Sequence, residues 1–438
     1  MDKIPADAIQ EILTKLPTKS LLRFKCVSKS WCSMIEDPVF VDAFRVRSHN
    51  RSPCLLIRKN HHGKLNDRGV RKVNDFFLVD LKGNSAPLPV PSYLETLTFP
   101  FEEVDGSIIK EEPFLHFVEG LACINNIIWN PTTRKIMDLP PRKLNQNVHV
   151  RKVNEDTNIV AGSYIWCVSA EYSLGFDYST REYKVLSISR TGSKINHGIG
   201  GRKNAWDTTD DQVYAEVLTL GTNSWRNTNF SLPQELEPDF SVVTNCTING
   251  IIYLVIYRRR YRYEPPSYCL LNFDLSNEKF QLLPIPKGFD YSDHACEVGE
   301  RFALIEQLST KIWILQDSGS GKWTEEDFLW PQDWYTNLSY DNNRPVIDSC
   351  IEPIGSCPTG DILFKRLKFK FRLGEEDDEE HSQPSDEEES QPSTCVCYDM
   401  KLKSARTIPE LNGVIYPNTR YDWDDICIKH VETIHPLK

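Results

Sequence analysis

At 438 residues the chain is too long for one ordinary compact domain, and 40% hydrophobic with 26% charged residues is a globular balance. The net charge of −11 is concentrated: Glu375 to Glu389 holds ten acids and no Lys or Arg. The remainder is nearly neutral, which argues against the strongly basic surface of a general nucleic-acid binder. No stretch approaches the roughly 18 apolar residues of a membrane helix. The N-terminus leads into an amphipathic segment rather than an apolar signal core. The 13 Cys are odd in number and scattered, so they are expected to be reduced and chiefly buried.

The first element is a helix. Ile9, Ile12, Leu13 and Leu16 recur at helical spacing, Pro5 suits its first turn, and Asp7 suits its dipole. Pro17 stops it. Thr18 is expected to cap a second helix carrying Leu21, Leu22, Phe24 and Cys26, and Ser28 a third carrying Trp31, Met34 and Ile35. Asp37-Pro38 closes the third helix. Three helices in about forty residues bury too little surface to stand comfortably alone. Leu16, Pro17, Leu21, Leu22 and Trp31 cannot all point inward, so the module is expected to lay an apolar face into a partner's groove. Phe24 and Cys26 are assigned mostly to its own core.

After about residue 50 the helical period gives way to a β-repeat. Each copy is an apolar strand, a short turn closed by Asp or Asn, a second strand, and in most copies a Leu-Pro or Ile-Pro exit. The turn anchors are Asp80, Asn130, Asn223, Asp274, Asp317 and Asp399, spaced 50, 93, 51, 43 and 82. The 93 reads as two units, and the 82 contains the acidic insertion. Gly, Ser or Asn in the turns is expected to take φ > 0. A period near 45–50 is the scale of propeller blades, which bury their faces by stacking. Six to seven blades are expected.

Both regions resemble known families. Ile4-Pro5-x-Asp7, Glu11-Ile12-Leu13-x-x-Leu16-Pro17 and Lys19 through Trp31 resemble the plant F-box. That resemblance implies a three-helix module that binds the SKP-type adaptor of an SCF ubiquitin ligase. By the family pattern the adaptor face would use Ile4, Pro5, Ile9, Ile12, Leu13, Leu16, Pro17, Leu21, Leu22, Val27 and Trp31. Phe117-Val118-Glu119-Gly120-Leu121, Trp129-Asn130-Pro131-Thr132-Thr133-Arg134-Lys135, Leu174-Gly175-Phe176-Asp177 and Asn249-Gly250-Ile251-Ile252-Tyr253 resemble the F-box-associated, kelch-like domain. The likeness is good from about 75 to 330 and fades afterwards. The implied organisation is an all-α F-box over 1–45, then linker and first strand over 46–72. An all-β propeller-like domain follows over 73–420, with an acidic disordered insertion over 374–394, and 421–438 is a tail or blade closure.

Tyr257-Arg258-Arg259-Arg260-Tyr261-Arg262-Tyr263 interleaves bases with aromatics, the residue types favoured at protein interfaces. With loops 190–212 and 257–266 and the acidic insertion, it is a candidate target contact. Ser385, which precedes Asp386-Glu387-Glu388, is a candidate phosphosite. Cys395-x-Cys397 is too tight for a usual zinc pair. Cys296 near His294 is the nearest approach to a thiol–imidazole pair. No phosphate loop, nucleophile elbow or zinc-protease motif is present. The sequence therefore reads as a non-catalytic substrate-recognition subunit, with no cofactor and no metal. Its partners would be an SKP-type adaptor, through it cullin and RING subunits, and an unknown target protein, in the cytoplasm or nucleus. An F-box scaffold outside ubiquitination, or a stand-alone propeller module, is the alternative.

Overall fold

The computed structural model describes residues 5–49, 54–62, 72–80, 92–99, 103–104, 107–108, 115–142, 163–167, 171–196, 206–228, 240–258, 267–287, 294–306, 311–331, 338–372, 394–411 and 426–437, a few isolated positions aside. Four helices come first: α1 Ala6–Thr14, α2 Thr18–Phe24, α3 Lys29–Ile35 and α4 Pro38–His49. Pro5 and Pro17 stand at the starts of α1 and α2, and neither supplies a side-chain cap. Thr18 is thus the first residue of α2 rather than its cap, and its hydroxyl is buried without a hydrogen-bond partner. Ser28 does cap α3, its Oγ accepting the Trp31 N–H at 3.2 Å.

The fourth helix departs from the three-helix expectation. Asp37-Pro38 closes α3 but also opens α4, since Asp37 Oδ1 accepts the N–H of Val39 at 2.9 Å. An Asp cap followed by proline in the first turn is a start signal as much as a stop. Phe40, Val41 and Phe44 then fall on one face and are buried.

Twenty-four of the described strands form six antiparallel units of four, the blades of a β-propeller, and Glu103–Val104 pairs separately with Ser107–Ile108. The chain divides into two compact units. The first holds α1 to α3, α4 as far as Arg45, the C-terminal residues 432–438 and three blades. Blade 2 is Leu115–Val118, Leu121–Ile124, Ile127–Asn130 and Lys135–Asp138. Blade 3 is Glu171–Asp177, Glu182–Asn196, Trp206–Thr219 and Arg226–Asn227, with Ser163–Cys167 added beside the second strand. Blade 4 is Phe240–Ile248, Ile251–Arg258, Ser267–Asp274 and Lys279–Leu283. The segment 190–212, expected as a loop, is largely the far end of the long blade 3 hairpin, where Asn196 pairs with Trp206.

The second unit holds blades 1, 5 and 6. Blade 1 is Cys54–His62, Lys72–Asp80 and Ser92–Phe99, completed by Ile426–His430 from the other end of the chain, with Leu56 opposite Ile428. Blade 5 is His294–Val298, Arg301–Ile305, Lys311–Asp317 and Lys322–Asp327. Blade 6 is Arg344–Ser356, Ile362–Arg372, Thr394–Asp399 and Ser404–Thr407, with Leu338–Asp341 added beside the first strand. The late strand covers the inner edge of Cys54–His62 and leaves Ser92–Phe99 as the outer strand of blade 1.

Each of the six sequence anchors ends or directly follows the third strand of a blade, one per blade. The interval of 93 is therefore a single blade step, not two. It is long because 40 residues lie between Asn130 and the first strand of blade 3 at Glu171, and because the second and third strands of that blade have 15 and 14 residues. In the turns, Asn130 Oδ1 accepts from Thr133 N–H, Asp274 Oδ1 from Ser276 N–H, Asp317 Oδ1 from Gly319 N–H and Asp399 Oδ1 from Lys401 N–H. The left-handed position belongs to Arg134, Glu278 and Lys403, with φ of 59°, 55° and 50°, and to glycine at Gly221 and Gly321, with φ of 91° and 64°. The exit hydrophobes Leu139, Leu283 and Ile408 are buried before proline ends the pairing.

Candidate functional site

The helical module has a definite inside. Leu13, Leu21, Ile35, Phe40, Val41 and Phe44 form its core, joined by Ile434, while Ile9, Leu16, Phe24, Trp31 and Met34 pack partly against it. Phe24 and Trp31 rings meet at 5.3 Å between centroids. Leu13 and Leu21, which the family pattern places on the adaptor face, lie in this core at 2% and 0% exposed. Cys26, assigned to the core, is exposed.

What remains outside is an apolar face that the module does not use for itself. Ile12 is 52% and Val27 64% exposed, and Pro5 and Pro17 are exposed as well. Ile9, Leu16, Leu22 and Trp31 are half-buried. Ile4 lies outside the described residues. Burying the exposed part of a side chain such as Ile12 or Val27 in a partner's groove would gain about 1–2 kcal/mol each.

A second constellation, at the foot of α4, had no expectation attached to it. Arg45 is 6% exposed. Its Nη2 donates to Asp42 Oδ1 at 2.7 Å, its Nη1 to Glu119 Oε2, and its guanidinium lies 4.3 Å from the Phe176 ring centroid. Burial works against the charged guanidinium, but Glu119 and Asp42 outweigh it and raise its pKa. Glu119 also accepts the Tyr178 hydroxyl at 2.7 Å, and its carbonyl accepts the Tyr183 hydroxyl at 2.6 Å. Arg181 adds a 3.4 Å ion pair to Asp42. The helix therefore meets the first turn of blade 2 and the first strand of blade 3 through a charged, water-poor contact. The signal that could have found it is the helical spacing of Phe40, Val41, Phe44 and Arg45 after the Asp37-Pro38 start.

Blades 3 and 4 share another polar seam. Lys184 Nζ lies 2.9 Å from Asp177 and 3.2 Å from Glu278, and donates to the Leu275 carbonyl at 2.7 Å. Arg226 pairs with both Glu278 oxygens at 2.8 Å. Burial tends to raise the Asp177 carboxyl, but hydrogen bonds from Ser179 and Lys184 prevail and hold it at about 2.

Of the proposed target residues, Tyr257 is half-buried against Tyr268 at 5.4 Å and Arg258 ends the second strand of blade 4. Arg259, Arg260, Tyr261, Arg262 and Tyr263 lie outside the described residues, as does Ser385. Cys296 is buried, and burial pushes its thiol up to about 12, away from the thiolate form. Cys395 and Cys397 are buried in a core cluster with Cys357, Leu55 and Leu363. Among the described residues no cluster suits a metal ion, and no helix is long and apolar enough to cross a membrane.

The chain belongs to the F-box associated β-propeller family: the model for the F-box associated beta propeller domain matches residues 95–370, and that for the F-box domain residues 1–42. It is similar to proteins of Arabidopsis thaliana. "Putative F-box protein At1g47790" is 26% identical over 349 residues, 74% of this chain and 71% of that one. "Putative F-box protein At4g38870" is 29% identical over 343 residues, 75% and 68%. F-box protein At3g57590 is 25% identical over 395 residues, 83% and 78%. An F-box implies binding of an SKP-type adaptor in general. F-box proteins with a propeller act in general as SCF substrate adaptors and are typically non-catalytic.

Proposed function

We propose that this chain is the substrate-recognition subunit of an SCF-type cullin–RING ubiquitin ligase in the cytoplasm or nucleus. The exposed face of α1 to α3 docks the SKP-type adaptor, and the blades hold a target protein. The observation that carries the reading is the division of the helical module: a filled core, and beside it Ile12 and Val27 exposed with Pro5 and Pro17. Such a face is stable in water only at a cost, which a partner's groove removes. The chain supplies no chemistry of its own. Its contribution to rate is proximity, keeping target lysines near the charged conjugating enzyme. The Tyr257 to Tyr263 run and the acidic insertion, with Ser385 as a phosphosite, are the proposed target contacts.

Affinity capture of the tagged chain from plant extract, read by mass spectrometry, tests this. Adaptor and cullin should accompany the wild type and be absent with an Ile12→Glu/Val27→Glu variant. Proteins retained by both forms are target candidates. Equal recovery of adaptor with both forms, or with neither, overturns the assignment of the face.

A further inference from the structure

The last residues of the chain are built into the adaptor-binding module. Ile434 is 2% exposed and sits in one cluster with Leu13, Leu21, Ile35, Phe40, Val41 and Phe44. The core of the F-box is thus completed by a side chain some four hundred positions downstream of α1. The backbone around Ile434 is tied to blade 2. Asn130 is fully buried, and its Nδ2 donates to the Thr433 carbonyl at 3.1 Å and the His435 carbonyl at 3.2 Å. The Thr433 N–H donates to Thr132 Oγ1 at 3.3 Å. The His435 ring stands edge-on to Tyr183 at 4.8 Å, and Leu437 packs against the core of blades 2 and 3.

Asn130 uses both ends of its amide. Its Oδ1 accepts the Thr133 N–H that closes the blade 2 turn, and its Nδ2 holds the C-terminal segment. Aspartate would close the turn equally well, as it does at Asp274 and Asp399. Only the amide has a donor to offer two backbone carbonyls.

We propose that Glu432 to Leu437 is a positioning strap: it completes the F-box core with Ile434 and fixes that core to blade 2 through Asn130 and Thr132. The adaptor-binding helices and blades 2 to 4 then move as one body. Docking of the adaptor depends on the far end of the chain. An F-box whose propeller is unfinished lacks a core residue and presents a looser face to the adaptor. This inference rests on the adaptor-docking reading for its consequence, but not for its geometry.

The test uses three full-length variants: Ile434→Ala, Asn130→Asp and the milder Thr132→Val. Amide hydrogen exchange is followed along the chain, and a purified SKP-type adaptor is titrated onto each. Ile434→Ala and Asn130→Asp should speed exchange across residues 6–49 at least tenfold, with 240–283 unchanged, and weaken adaptor binding at least tenfold. Thr132→Val should move both in the same direction by less. Wild-type exchange in 6–49 with the strap opened overturns the proposal, and so does uniform loosening of all blades in every variant. If the wild type binds no adaptor, the proposed function fails, and the exchange data alone decide whether the strap stands.

Discussion

Arg45, near the end of the last N-terminal helix, and Glu119, in the first turn of blade 2, form a buried ion pair 74 positions apart in sequence. Their side chains are 7% and 10% exposed. Taking away one partner leaves the other charge in a poorly hydrated contact. Arg45→Met should therefore destabilise the first unit by about 3 kcal/mol or more. Glu119→Gln should cost less, because glutamine still accepts from Tyr178. A double-mutant cycle on the denaturant midpoint, followed by fluorescence, checks the coupling. Additive effects would mean that the pair is not what holds the junction.

A close approach between blades accounts for the glycine of the Leu174-Gly175-Phe176-Asp177 run. A Cβ built at Gly175 would lie 2.3 Å from Leu275 Cδ1, with Leu275 Cγ and Cδ2 at 3.3 Å. Leu275 is fully buried and has little room to turn away. Gly175→Ala should cost about 1–3 kcal/mol by overpacking. Trimming the neighbour, as in Leu275→Val beside it, should recover part of that loss in thermal unfolding.

The blade turns predict a change in the opposite direction. Arg134 is an exposed residue at φ 59°, a conformation that costs an L side chain roughly 1–2 kcal/mol. Glycine relieves that strain but loses more entropy on folding, roughly 0.5–1 kcal/mol. Arg134→Gly should raise stability by up to about 1 kcal/mol, seen as a higher midpoint in urea.

Acid should weaken the fold in two stages. Burial lowers His435 to about 4 and His116 to about 3, both below their unfolded value of 6.5. As pH falls below 6.5 the unfolded chain takes up protons that these imidazoles refuse, so stability falls with pH from 6.5 toward 3. His435 packs edge-on against Tyr183 and lines one pocket with Glu36, Asp42, Arg45 and Arg181. Asp177, held at about 2, contributes stability above 3.8 that is lost as pH falls from about 4 through 2. His435→Gln should flatten the upper stage and Asp177→Asn the lower in urea midpoints taken against pH.

Six anchor residues in the sequence mark six blades, and at Asn130, Asp274, Asp317 and Asp399 the signature is an Asx turn where two outer strands meet. The misreading of the 93-residue interval has a physical cause. Spacing counts residues, and the long hairpin of Glu182–Asn196 with Trp206–Thr219 adds residues without adding a blade. The left-handed turn positions were hidden because Arg134, Glu278 and Lys403 carry no mark of φ > 0, unlike glycine. In the helices, periodicity found the apolar stripes but could not divide them. Leu13 and Ile12 are adjacent in sequence, yet one is 2% and the other 52% exposed. The choice between them is made by α4 and Ile434, and no local pattern connects Ile434 to the F-box.

The most direct test of the adaptor assignment is titration of a purified SKP-type adaptor onto the full-length chain and onto its Ile12→Glu/Val27→Glu variant, with unfolding midpoints measured in parallel. Both positions are exposed, so stability should stay within about 1 kcal/mol of wild type. The account predicts tight binding by the wild type and at least a hundredfold loss in the variant. Equal binding by both, or none by the wild type, would contradict it.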